Sequence, residues 1–330
     1  MRALPVEADP PDHAKYRGVL IPWLAARKVN TYEAAIRSVV TELINAFIEQ
    51  GTCDLIPALA TPLPALVSPI FMGIAPKDQP LFLRYIKQII EATEMQDKEK
   101  DIKIRQSFMH YLLKEIEKRK RKPRSDFFSS LIEAKFNDRL LTEEEIISLM
   151  LTILTAGLET SKNALSSLLL ALCEHDGIRQ RLMHEPALIP SFVEESLRYN
   201  APLQYVGRTV NTPVSMYKCT MVKDEKVLLL LGSANHDEKK FAQPEQFIVD
   251  RAPNRHLTFG LGAHFCVGAP FARLELRIVA EEILHRLPDY RLAKEVKRAF
   301  SVDRVYGVET LPIVFSPGTI EPSTVLTQEQ

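Results

Sequence analysis

Charge of either sign in excess is missing from this sequence. Lys and Arg together number 42, and so do Asp and Glu. No bulk field therefore favours nucleic acid or an anionic membrane. Long apolar runs are missing too. The stretch from Val19 to Ala26 is short and holds Pro22, far below the roughly 20 residues that a membrane span needs. Acidic Glu7, Asp9 and Asp12 precede it, which excludes a signal peptide or an anchor. Cysteine is scarce. Cys53, Cys173, Cys219 and Cys266 are widely spaced, form no disulfide framework and suit a reduced, cytoplasmic compartment. No C-x-x-C or H-x-x-x-H pair occurs, which removes the usual zinc spacings. No repeat, low-complexity tract or linker interrupts the chain, so residues 1–330 read as a single domain. With 46% apolar and 25% charged residues, that domain is expected to be soluble, with a sizeable core.

What is present is mostly helical pattern. Leu43 to Glu49, Leu81 to Glu94 and Ile102 to Lys120 carry apolar residues at spacings of three and four. Prolines 57, 62, 64, 69 and 76 break the stretch between the first two. The basic run Lys114 to Arg124 reads as a solvated helix end, where cations complement the dipole. Thr142-Glu-Glu-Glu145 is a capping box that opens the longest helix. Its apolar residues continue to Leu172, so the helix is expected to lie buried in the core. Extended segments are few: Tyr205 to Val210, Val214 to Tyr217, Val227 to Leu231 and Ile313 to Phe315. The fold class is therefore mainly α with small β regions.

The chemistry concentrates between Asn254 and Arg273. Gly260, Gly262 and Gly268 let the backbone turn tightly beside something flat. One cysteine, Cys266, stands at the start of an amphipathic helix, where dipole and free N–H groups favour a thiolate. Upstream, Ala156-Gly157-Leu158-Glu159-Thr160 places glycine inside a helix, at a cost of roughly 0.5–1 kcal/mol relative to alanine. Glu159 and Thr160 beside it could move protons into a dry site. Glu195 and Arg198 stand three apart on one helix face and can pair. A buried structural cysteine or a threonine bonded back to a carbonyl would be the plainer readings.

Phe259-Gly-x-Gly-x-His264-x-Cys266-x-Gly268-x-x-x-Ala272-Arg273 resembles the cysteine loop of the cytochromes P450 at every constrained position. Ala156 to Thr160 is similar to that family's oxygen-activation motif. The resemblance runs from Asp9 to about Pro317. It implies a cytochrome P450 fold holding haem b, with Cys266 as the axial iron ligand. Phe259, Gly260, Gly268 and Ala156 then lie against the cofactor, and Glu159 and Thr160 are catalytic. His13, Arg17, Arg208 and His256 are implied partners of the haem propionates. Glu195, Arg198 and Arg251 are implied to form a structural triad. Leu203, Gln204, Tyr205 and Val206 are candidate substrate contacts.

In soluble family members the segment matched by Asp9 to Arg17 begins the third major helix. The resemblance therefore implies a shortened front, without the N-terminal sheet portion and the first helices. The implied activity is a haem-thiolate monooxygenase that uses dioxygen on a small organic substrate. Electrons would come from a separate ferredoxin or flavodoxin with its reductase, meeting basic residues such as Arg273 and Arg277. No nucleic acid or membrane partner is implied. Oxidative coupling or desaturation would use the same motifs, and a silent partner-recruiting module is the reading from another class.

Overall fold

The 32-residue helix Glu143–Glu174 organises the molecule. In the computed structural model, which describes residues 2–94, 97–302 and 305–323, it begins where the capping box places it. The Glu145 N–H donates to Thr142 Oγ1 at 3.2 Å, and the Thr142 N–H donates to Glu145 Oε2 at 2.7 Å. Arg139 grips the same carboxylate through both terminal nitrogens, and the Tyr16 hydroxyl donates to it at 2.6 Å. Chiefly through Arg139, Glu145 is held down at about 2.

The two ends of this helix serve two apolar clusters. Ile146, Leu149, Met150 and Leu154 pack with Leu20, Phe71, Phe108, Leu112 and Phe127. Beyond them, Leu165, Leu168, Leu169 and Leu172 pack with Val40, Ile44, Ile278 and Ile283. Phe271 touches both clusters. Between the two ends, Thr155, Ala156 and Gly157 are exposed. The expectation of burial along the whole helix thus fails at its middle, where one apolar cluster ends before the other begins.

Short sheets complete the frame. Tyr205–Thr209 pairs antiparallel with Lys226–Leu230, placing Arg208 opposite Val227. Val214–Met216 pairs with Cys219–Met221, and Thr52–Asp54, Pro312–Val314 and Arg291–Leu292 form a three-stranded sheet. Arg298–Val302 pairs with Val305–Val308. Several of these strands hold only two or three residues, too few for an alternating pattern to declare itself.

The basic run behaves differently from the expectation at one residue. Lys98–Arg121 does end in four cations, yet Arg119 is only 2% exposed. Its guanidinium donates to Glu115 and to the Gly73 carbonyl, and lies 4.4 Å over the Phe128 ring. Gly73 caps the helix Pro62–Met72 at φ +72. A side chain there would meet Asp126 Cβ at 2.4 Å, so only glycine fits.

Candidate active site

The cysteine loop is shaped by two left-handed glycines, Gly260 at φ +71 and Gly262 at φ +74. That turn brings the Cys266 N–H onto the Phe259 carbonyl at 2.8 Å. Helix Ala269–Arg286 starts three residues later, with Pro270 in its first turn, where a missing N–H does no harm. The N–H groups of Gly268 and Ala269 both point at the Cys266 sulfur. Cys266 is open to solvent on one side and walled by protein on the others. Burial pushes its thiol pKa up; the two N–H groups and the charges of Arg17 and Arg273 oppose that.

Val267, next to the cysteine, packs in the same apolar cluster as Leu154 and Leu158 of the long helix. The exposed middle of that helix carries the acid–threonine pair. Thr160 Oγ1 donates to the Ala156 carbonyl at 2.6 Å. A Cβ on Gly157 would find nothing within 4 Å, so at this glycine the helix meets no neighbour. Glu159 and Thr160 are half-buried.

A cluster of nitrogens gathers at His264. Its ring meets that of His13 at a tilt of 46°, with centroids 4.2 Å apart. Burial first, then the charge of Arg17, keeps His13 below the usual imidazole range. His264 is lowered by burial, His13, Arg208 and Arg17 together. Among the described residues, Arg17 and Arg208 have no carboxylate partner; Arg208 donates only to the Gly207 carbonyl, at 2.8 Å. His256, expected with Arg208 at the haem edge, has both ring nitrogens engaged by the protein. Its Nε2 is 3.2 Å from Glu194, and its Nδ1 accepts the Thr258 N–H. His264 was not foreseen in this role, although it stands two residues before Cys266 in the quoted motif.

Arg273 clasps Glu194 through Nε and Nη2 at 2.7 and 2.8 Å. Burial would raise Glu194, but Arg273 and His256 outweigh it and hold the group at about 2. Arg277 is bound by Glu33 and Glu281. These arginines are therefore engaged in ion pairs within the chain. Both side chains, expected to meet a redox partner, stay partly exposed at 38% and 30%.

Behind the loop, Glu195 and Arg198 are both 0% exposed and joined by two hydrogen bonds at 2.8 and 2.9 Å. Arg251 adds its Nε at 3.1 Å. Arg198 also donates to the carbonyls of Asn235, Pro244 and Gln246, tying down the irregular segment before the loop. Leu203, Gln204, Tyr205 and Val206 are half-buried. Gln204 spends its amide on the Ala201 carbonyl at 2.6 Å, which leaves the other three as the better candidate contacts.

One buried acid escaped the sequence reading. Glu275, 3% exposed on helix Ala269–Arg286, faces Ser161 and has no cationic partner among the described residues. Burial pushes it up to about 8, against a smaller opposing effect of the Ser161 hydroxyl. From about pH 4.5 to about 8 the folded chain keeps this proton while the unfolded chain loses it. Stability should therefore fall as pH rises through that window, by at most about 1.4 kcal/mol per pH unit. Glu275→Gln is expected to flatten the dependence, so that between pH 6 and 7 the variant gains about 1 kcal/mol on the parent. Urea unfolding at the two pH values measures it; equal slopes in both proteins would refute the assignment.

Comparison with known proteins places this geometry. Residues 66–288 match the family model for cytochrome P450. The chain is 33% identical over 323 residues to the steroid C26-monooxygenase of Mycobacterium tuberculosis, covering 96% of this chain and 87% of that enzyme. It is 32% identical over 311 residues to the polyketide biosynthesis cytochrome P450 PksS of Bacillus subtilis, covering 93% and 76%. The crystal structure of CYP109E1 from Bacillus megaterium with testosterone superposes at a TM-score of 0.88, with 32% identity, over 94% of this chain and 86% of that one. Fold and cysteine loop define a class, the haem-thiolate oxidoreductases. The chain belongs to the cytochrome P450 family and is a P450 monooxygenase.

Proposed function

We propose that Cys266 binds the haem iron and that Arg17, Arg208, His13 and His264 hold the haem carboxylates. The observation that carries this reading is the pairing of a thiol aimed at by two N–H groups with two guanidiniums that have no carboxylate partner among the described residues. A flat iron cofactor with two carboxylates satisfies both. The resemblance assigns His256 to the same edge, but its bond to Glu194 favours His264. Haem, when bound, supplies an iron that activates dioxygen. Phe259, Gly260, Gly268 and Ala156 leave room beside it.

The chain's own residues then do the proton work. Thr160 commits its hydrogen to the Ala156 carbonyl, so its oxygen lone pairs remain open to a proton donor. Glu159, one residue earlier and half-buried, carries protons toward that hydroxyl. The substrate is a small organic molecule lying against Leu203, Tyr205 and Val206. A steroid-acting relative and a testosterone-bound neighbour support an apolar one. Electrons come from a ferredoxin or flavodoxin with its reductase.

The carbon monoxide spectrum of the reduced, haem-loaded protein tests the ligand assignment. A strongly red-shifted Soret band supports Cys266; an unshifted band removes it. The role of Thr160 has its own test. Thr160→Ala should cut productive turnover by about 100-fold, the lower end for a lost proton-transfer group, raise uncoupled peroxide release, and leave the spectrum intact. Unchanged coupling would remove Thr160 from the mechanism.

A further inference from the structure

Lys162 is an unusual neighbour for an acid that must carry protons. It follows Glu159 by three residues on the long helix, so both side chains share a face. Its Nζ lies 3.6 Å from Glu159 Oε1, with the two side chains only 16% and 22% exposed. The other carboxylate oxygen is engaged as well. Asn163 Nδ2 lies 3.3 Å from Glu159 Oε2 and also donates to the Glu159 carbonyl at 2.8 Å.

Asn163 cannot easily give way. It is 2% exposed and stands against Gly307 of strand Val305–Val308. A Cβ at Gly307 would fall 1.8 Å from Asn163 Oδ1, so glycine alone permits the approach. The strand thus braces Asn163, Asn163 holds one oxygen of Glu159, and Lys162 holds the other.

We propose that Lys162 is a positioning residue that fixes the Glu159 carboxylate in one orientation for proton delivery. This rests on the reading of Glu159 as the proton carrier. An ordinary i,i+3 ion pair would add slightly to helix stability and nothing to coupling. The two roles therefore separate by experiment.

Lys162→Met and Lys162→Arg are compared with the parent and with Glu159→Gln, all haem-loaded. Lys162→Met should raise peroxide release per electron pair about threefold, the size of a partly screened ion pair. Lys162→Arg should restore coupling. Independently of turnover, carbodiimide labelling of Glu159, read by mass spectrometry, should rise about threefold in Lys162→Met and stay at the parent level in Lys162→Arg. Normal coupling or normal labelling in Lys162→Met, with Glu159→Gln uncoupled, overturns the positioning role alone. Normal coupling in Glu159→Gln overturns it together with the carrier reading.

Discussion

Glu195→Ala is expected to destabilise the protein by about 3–5 kcal/mol, because it strips the counter-charge from buried arginines. Arg198 is 0% and Arg251 only 6% exposed on the side chain. The same carboxylate also accepts the Ile248 N–H at 2.8 Å and Asn254 Nδ2 at 3.2 Å. Losing it leaves both cations with carbonyl acceptors but no counter-charge, and takes an acceptor from two further donors. Against a typical total stability of about 5–15 kcal/mol, such a loss is a large share. Urea midpoints of parent and variant measure it. Glu195→Leu with Arg198→Met should recover part of the deficit, since removing both charges also removes their desolvation. A shift below about 1 kcal/mol for Glu195→Ala, the level of an exposed pair, would contradict the burial described above.

Cys266→Ala carries the second large effect. It removes the sulfur at which the Gly268 and Ala269 N–H groups aim and leaves the loop's own bond, Cys266 N–H to Phe259 carbonyl, available to any residue. The fold should therefore survive while the red-shifted carbon monoxide band and turnover are both lost. Far-ultraviolet circular dichroism, the reduced spectrum and product formation together separate a missing ligand from a missing fold. A variant that keeps the shifted band would show that another atom binds the iron. Cys53, Cys173 and Cys219 are the remaining cysteines, and none stands in a comparable loop.

Much of this was legible in the sequence because the signals are local. The capping box at Thr142, the glycines around Cys266 and the three-residue step from Glu195 to Arg198 each act within one turn or loop. The fold needed no further information at these points. Non-local partners were harder. Arg119 sits in a run that looks solvated, and only the Gly73 carbonyl and the Phe128 ring explain its burial. The ion pairs of Arg273 with Glu194 and of Arg277 with Glu33 join different elements and left no mark in the local pattern, whereas Glu281 stands one turn beyond Arg277 on the same helix. His264 and His256 look alike in the motif. Which one joins Arg208 depends on where Glu194 comes to rest. Glu275 gave no sign at all, since an acid in an amphipathic helix normally faces water.

The single helix shared by two apolar clusters has a consequence for how the protein comes apart. Neither cluster can melt alone without fraying a helix that the other still holds. Ala156 and Gly157 belong to neither cluster yet lie within an unbroken helix that joins them. Their hydrogen exchange is a gauge of whichever cluster lets go first. Core-weakening changes at Leu112 or at Ile283, one in each cluster, should both be felt at the same two amides.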